Sequence, residues 1–221
     1  MEPWYRVAEM AVIPPLKLWF NWRFEGMEHI PAEGPALAAC NHTSYFDPLA
    51  HAYMIHKARR RPRFLAKSEL YDNWLLRQVL GGARQIPVYR GTGSRAPLEA
   101  AAKALEAGEV VVIYPEGTVT RNPDRTPMEG KTGVARLTLT TAVPVVPIAV
   151  WGSHNVLQKG GEKGLTFGRP IWLQAGAPMD FSAYAHTAED PVALRKVTDA
   201  IMAELSRLVA DLRSRYPKRW S

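Results

Sequence analysis

His42 and Asp47 are the residues of this chain whose types and spacing best suit chemistry. They lie in Asn41-His42-Thr43-Ser44-Tyr45-Phe46-Asp47-Pro48, directly after the short apolar run of residues 35–40, which reads as a buried strand. Imidazole titrates near neutrality. A carboxylate hydrogen-bonded to one ring nitrogen fixes the tautomer and leaves the other nitrogen to take a proton. A histidine closing a strand, with an aspartate five residues on across a turn, therefore suits a general base and its orienting partner. The same stretch also suits a helix start, because Ser44, Asp47 and Pro48 all favour one, and Asp47 is then an ordinary cap. The motif by itself leaves both readings open.

Further candidates stand where other strands end. Lys67 and Ser68 close the apolar run 64–66. Residues 84–91, Arg84-Gln85-Ile86-Pro87-Val88-Tyr89-Arg90-Gly91, read as a short edge-like strand running into a turn. Two guanidiniums and a glycine there could grip a phosphate, since guanidinium offers it a two-pronged donor; an exposed Arg90 is the plainer alternative. Residues 110–114 are apolar throughout and read as a central strand of a parallel sheet. That strand breaks at Pro115-Glu116-Gly117-Thr118, beyond the carboxyl end where open α/β sheets take their ligands. Burying a charge is costly unless it is paired, so Glu116 is expected to face a cleft or to meet an arginine. Lys131, in Gly130-Lys131-Thr132-Gly133, reads as a phosphate-binding or surface cation beside the same cleft.

Residues scattered over 90 positions meet only on a scaffold that gathers strand ends, and the rest of the chain supplies one. Helical periods run over residues 48–56, 69–80, 95–107, 133–141 and 191–215, the last with Val197, Ile201, Leu205, Leu208 and Leu212 on one side. Residues 145–150 and 165–173 read as further strands. The alternation predicts one α/β domain with a mostly parallel or mixed central sheet flanked by helices. Residues 1–28 are set apart as an N-terminal amphipathic helical membrane-binding segment, and residues 29–221 as the domain proper. Trp4, Tyr5, Trp19, Phe20, Trp22 and Phe24 stand there among Arg6, Lys17 and Arg23. Two short helices divided at Pro14-Pro15 would line these rings along one side as an interfacial anchor. The alternative packs the rings onto the core.

Composition narrows the partners. The formal charge of +7 favours an anionic surface or substrate. A single cysteine forbids an internal disulfide and fits a reducing compartment. No run of 18 uncharged apolar residues and no secretory pattern is present, so a peripheral or monotopic position on the cytoplasmic face of a membrane is expected. The histidines lack metal-ligand spacing and no metal site is expected; His51 and His56 read as solvated helix residues, and His154 as a weaker cleft candidate. Gly130-Lys131-Thr132 resembles the end of a phosphate-binding loop, but the glycine required five residues earlier is Arg125. The basic run Lys57, Arg59, Arg60, Arg61 and Arg63 reads as a solvated face or a meeting point for lipid head groups, and no nucleic-acid module accompanies it. A covalent route through Cys40 or Ser44 is the minor alternative, Cys40 reading as a small buried hydrophobe.

Four blocks in order resemble the glycerolipid acyltransferases, particularly the 1-acylglycerol-3-phosphate acyltransferases: His42 to Asp47, Ile86 to Arg90, Glu116-Gly117-Thr118, and Val143-Pro144-Val145-Val146-Pro147. That family carries His-x-x-x-x-Asp, Gly…Ile…Arg, Phe-Pro-Glu-Gly-Thr and Val-Pro-Val-x-Pro. The resemblance implies transfer of an acyl group from acyl-CoA or acyl-carrier protein to a lysophospholipid hydroxyl, with no cofactor besides that co-substrate. It implies His42 as general base and Asp47 as its orienter, with Arg90 binding the acceptor phosphate. Glu116, Gly117 and Thr118 would shape the acceptor site; the sequence does not name the oxyanion donors, for which backbone amides near Gly91 or Gly117 are the candidates. Lys67 and Lys131 are carried as further substrate-binding cations. Bacterial members also tend to have an N-terminal membrane-binding helical segment. The chain departs from the family where Thr118 is followed by Val119 and Thr120 rather than Arg-Ser, and where Pro87, Val88 and Tyr89 separate Ile86 from Arg90. Both departures fall on the acceptor grip, so another lysolipid or a glycolipid is the alternative acceptor.

Overall fold

The computed structural model describes residues 3–89, 94–157 and 164–220, with side chains from residue 9 onward. Its frame is a seven-stranded sheet made of β1 (Asn21–Glu25), β2 (Ala36–Cys40), β3 (Pro62–Lys67), β4 (Ile86–Val88), β5 (Val110–Ile113), β6 (Val145–Trp151) and β7 (Pro170–Ala175). The strand order is β1-β7-β6-β2-β5-β3-β4. The five strands from β6 to β4 are mutually parallel, and β7 joins antiparallel to β6 with β1 parallel to β7. The sheet is therefore mixed, within the class the alternation implies.

Every residue of β2, β5 and β6 is buried, as continuous apolar runs covered on both faces must be. Alternate side chains split between two layers. Ala36, Ala38 and Cys40 of β2 pack with Ala50, Tyr53 and Met54 of α2 (Asp47–Lys57). Leu37 and Ala39 pack on the other face with α4 (Ala96–Glu106), α5 (Gly133–Thr141) and α6 (Pro191–Arg215). Leu205, Leu208 and Leu212 of α6 are fully buried; burial of each such side chain is worth roughly 1.5–3 kcal/mol. Because five parallel strands point the same way, the loops after β2, β3, β4, β5 and β6 gather at one edge of the sheet.

The N-terminal region departs from expectation. One helix, α1 (Pro3–Trp19), runs through Pro14 and Pro15 instead of two helices meeting there. The carbonyls that face the missing amides belong to Met10 and Ala11, both exposed, where water can take the amides' place. The boundary at residue 28 also moves, since residues 21–25 are strand β1 of the sheet. Phe20 is buried, and Trp22 and Phe24 pack with Phe46 and Tyr53, ring centroids 5.0–6.3 Å apart. Those three rings are core residues, not an anchor. Trp19 stays part-exposed against Phe167, while the Trp4 and Tyr5 side chains lie outside the described residues.

Two boundaries shift as well. The stretch expected as one helix over 69–80 is a 3-10 turn, Ser68–Tyr71, followed by α3 (Trp74–Gly82), which Asn73 caps by accepting from the Leu75 and Leu76 amides. The strand expected over 165–173 is β7, Pro170–Ala175. The basic run is partly structural. The Arg60 guanidinium donates to the carbonyls of Pro31, Gly34 and Gly108, and Arg63 forms a two-pronged pair with Glu109 at 2.8 and 2.9 Å. These ties lie at the amino ends of β3 and β5, away from the edge where the candidate site lies.

Candidate active site

His42 leaves the end of β2 with both of its backbone groups held by the loop after β5. Its amide donates to Glu116 Oε1 at 3.0 Å, and its carbonyl accepts from the Thr120 amide at 2.7 Å. Glu116 Oε2 in turn accepts from the Met128 amide at 2.9 Å. Glu116 is thus buried with each carboxylate oxygen on a backbone N–H, and burial pushes its carboxyl up from the usual range. Among the described residues it meets no arginine, and it does not line the cavity beside His42, which departs from both expectations. Two backbone donors offset the burial of the charge without any cation.

The His42 ring donates through Nδ1 to Asp47 Oδ2 at 2.9 Å. The same oxygen accepts the Thr43 and Ser44 amides at 2.6 and 2.8 Å, and Ser153 Oγ donates to Oδ1. Asp47 opens α2, yet its oxygens point back at the preceding residues, and the helix has no side-chain cap. The carboxyl group is wholly buried and each oxygen is hydrogen-bonded, so its position against the His42 ring is fixed. With Nδ1 turned to Asp47, Nε2 on the far side of the ring is left for a substrate proton. Tyr114 stacks on the imidazole, centroids 4.2 Å apart, and its hydroxyl lies 3.1 Å from His51 Nδ1.

His51 is fully buried, contrary to its reading as a solvated residue, and burial lowers its pKa to about 4. The i, i+4 spacing from Asp47 on α2 decides this, because both residues then face the sheet. His154 packs against Trp151, centroids 4.8 Å apart, and does not line the cavity beside His42. Cys40 is buried, which pushes its thiol up and away from the thiolate, and the Ser44 hydroxyl donates to the Leu157 carbonyl at 2.6 Å. Neither is set up as a nucleophile.

His42 lines a cavity of about 890 Å³. Its walls are mostly apolar, with Val12 and Ile13 from α1, Ala52 from α2, and Val79 and Leu80 from α3. Gly117, Thr118, Lys67 and Lys131 also line it. Gly117 takes φ +69°, and a β-carbon there would meet Lys131 Nζ at 2.9 Å, so the glycine lets the lysine cross the loop. Lys67 is paired with Glu69 at 2.9 Å. Arg90 and Gly91 lie outside the described residues. Among the described residues, no group of three or more His, Cys, Asp and Glu side chains could hold a metal ion.

Sequence reading missed Ser153, which reaches Asp47 across 106 positions, and Tyr114. No local period marks either; only their places just past β6 and β5, at the edge where strand ends gather, hinted at them.

The family model described as Acyltransferase matches residues 21–151. The chain is 29% identical over 174 residues to the 1-acyl-sn-glycerol-3-phosphate acyltransferase of Bacillus subtilis, covering 76% of this chain and 82% of that one. An uncharacterised protein of Mycobacterium tuberculosis is 27% identical, over 92% of this chain and 67% of its own length. In fold, the chain is similar to the crystal structure of a 1-acyl-sn-glycerophosphate acyltransferase from Thermotoga maritima. The TM-score is 0.69 at 24% identity, covering 98% of this chain and 80% of that one.

Proposed function

The chain belongs to the acyltransferase family, and from that premise we propose that it moves a fatty acyl group from a thioester, acyl-CoA or acyl-carrier protein, to the free hydroxyl of a lysophospholipid. The acceptor that fits best is 1-acylglycerol-3-phosphate, which would give phosphatidic acid. One observation carries the reading: His42 Nδ1 sits 2.9 Å from a wholly buried Asp47 carboxylate, beside an apolar cavity of about 890 Å³.

In the reaction, His42 Nε2 takes the acceptor's hydroxyl proton while that oxygen attacks the thioester carbonyl. The tetrahedral intermediate collapses, the carbon–sulfur bond breaks, and the thiolate leaves with the proton returned by the imidazolium. Asp47 stabilises the imidazolium and holds the tautomer. No protein nucleophile is needed. Arg90, with Lys67 and Lys131, is assigned the acceptor phosphate, and Gly117 and Thr118 the acceptor's backbone; the Gly117 amide already donates to the Tyr114 carbonyl at 2.9 Å, which leaves the oxyanion to a backbone amide near Gly91. Glu116 is assigned to the loop that holds His42 and not to the substrate.

Among the described residues, no helix is long and apolar enough to cross a membrane. α1 exposes Met10 and Leu18 beside Lys17, and we assign it to the membrane interface, on the cytoplasmic face. Val119 and Thr120, standing where the family block continues Arg-Ser, favour a second reading in which the acceptor is another lysolipid or a glycolipid. Offering the pure protein a panel of lysolipids with labelled acyl-CoA, and identifying products by mass, separates the two. Phosphatidic acid as the main product supports the first. Acylation of other head groups alone supports the second, and no acyl transfer to any lysolipid removes both.

A further inference from the structure

Exposed apolar side chains are ordinary when scattered and informative when they cluster. On α3, Trp74 is 74% exposed and the next two residues, Leu75 and Leu76, are exposed as well. None of the nine residues of this helix is buried. Leu70, in the 3-10 turn that leads into α3, is exposed and also lines the cavity, as do Tyr45 just before α2 and Leu49 in its first turn. These three side chains mark where the cavity opens.

α3 packs against α1, and the two helices divide their faces in the same way. Val79 and Leu80 of α3 and Val12 and Ile13 of α1 turn to the cavity, while Trp74, Leu75 and Leu76 of α3 and Met10 and Leu18 of α1 stand outside. The pair is a thin wall, greasy on both sides. Lys17 and Arg77 lie exposed on it with no carboxylate partner among the described residues; Asp72, also exposed, precedes α3 in the chain. A water-facing wall of this kind exposes apolar area that none of the described residues covers.

We infer that α3 is a second lipid-docking element beside α1, and that its Trp74-Leu75-Leu76 face lies in the surface of a phospholipid bilayer, placing the cavity's opening at Leu70 against the acyl chains. The inference rests on the proposed lipid substrate: what covers this wall must also deliver an acyl chain to a cavity that opens beside it. Tryptophan suits the position because its ring is at home at the level of the head groups. The two unpartnered cations and the overall charge of +7 favour a bilayer containing anionic lipid.

The test uses the full chain. Cys40 is the single cysteine and is buried, so a new surface cysteine takes a thiol-reactive, polarity-sensitive fluorophore selectively. Trp74→Cys carries the probe on α3, and Val192→Cys, equally exposed on α6, is the control. On vesicles of phosphatidylcholine and phosphatidylglycerol, the Trp74→Cys probe should shift to the blue and be quenched by brominated acyl chains, and the Val192→Cys probe should do neither. A protein that co-sediments with vesicles while the Trp74→Cys probe stays in water would overturn the inference. Replacing Trp74 and Leu75 together by serine should weaken vesicle binding at least about tenfold, leaving turnover of a short-chain, monomeric lysolipid unchanged. If that double variant instead turns a lipid-free dimer into a monomer with vesicle binding intact, the face covers a second copy of this chain and the inference fails. Vesicle docking of α3 with no acyl transfer by the wild-type protein would leave the inference standing and remove the lipid-substrate reading.

Discussion

The two ends of the cavity are built by opposite means. Around His42 both carboxylates are answered: Asp47 is bonded through both oxygens, Glu116 through both of its own, and the His42 backbone is held on both sides. At α1 and α3, large apolar side chains such as Met10, Leu18, Trp74 and Leu75 stand exposed. A polar atom buried without a partner is costly, so the inner end is bonded nearly throughout, with His51 Nε2 left over, and those bonds fix its geometry. Exposed apolar surface costs less per side chain and fixes no geometry. The contrast teaches where precision and where adaptability reside: proton transfer needs angles, and acyl chains need only a covered apolar path.

The largest expected effects therefore come from the inner end. His42→Ala should lower turnover by about 10²–10⁴-fold while thermal unfolding and vesicle binding hold. Asp47→Asn keeps the shape but favours the wrong tautomer, so a loss of about 10³–10⁴-fold in kcat with a near-constant acceptor KM is expected. Wild-type turnover in either variant breaks the comparison at its root.

Next comes pH. The folded protein holds His51 neutral down to about pH 4, whereas the unfolded chain takes up a proton near 6.5. Stability contributed in this way is intact above pH 6.5 and declines as pH falls towards 4, by up to about 3 kcal/mol. His51→Leu should flatten part of the dependence of the denaturation midpoint on pH between 7 and 4. An unchanged slope would mean that His51 is not held neutral in the fold.

Glu116→Gln tests whether this carboxylate serves the backbone or the acceptor. An amide accepts one of the two N–H donors and opposes the other, so a loss of about 1–3 kcal/mol in stability is expected. Turnover should fall while the acceptor KM stays put; a rise in KM alone would return Glu116 to the acceptor site. The smallest effect belongs to the outer end. Met10→Ser and Leu18→Ser should change stability by no more than about 0.5 kcal/mol in lipid-free solution, a differential-scanning measurement. A larger loss would show that α1 is held by contacts of those side chains, and the contrast between the two ends would lose its sharpness.

Much was legible in the chain because its signals are local. The apolar runs at 110–114 and 145–150 and the period of 191–215 report burial through neighbours a few residues away, and the structure forms β5, β6 and α6 there. The order of strand, turn and helix around His42 and Asp47 was readable for the same reason. Only the fold decided that Trp22 and Phe24 pack inward against Phe46 and Tyr53, that His51 is buried, that Glu116 turns to backbone amides, and that Ser153 completes the grip on Asp47. A period tells which side of an element is apolar but not what lies opposite, and a carboxylate's partners are chosen by strands that meet from far along the chain. Sequence therefore determined the elements and the residues able to react, and tertiary structure decided which polar atoms meet and which apolar faces stay uncovered, because both depend on contacts between positions too distant for any local pattern to encode.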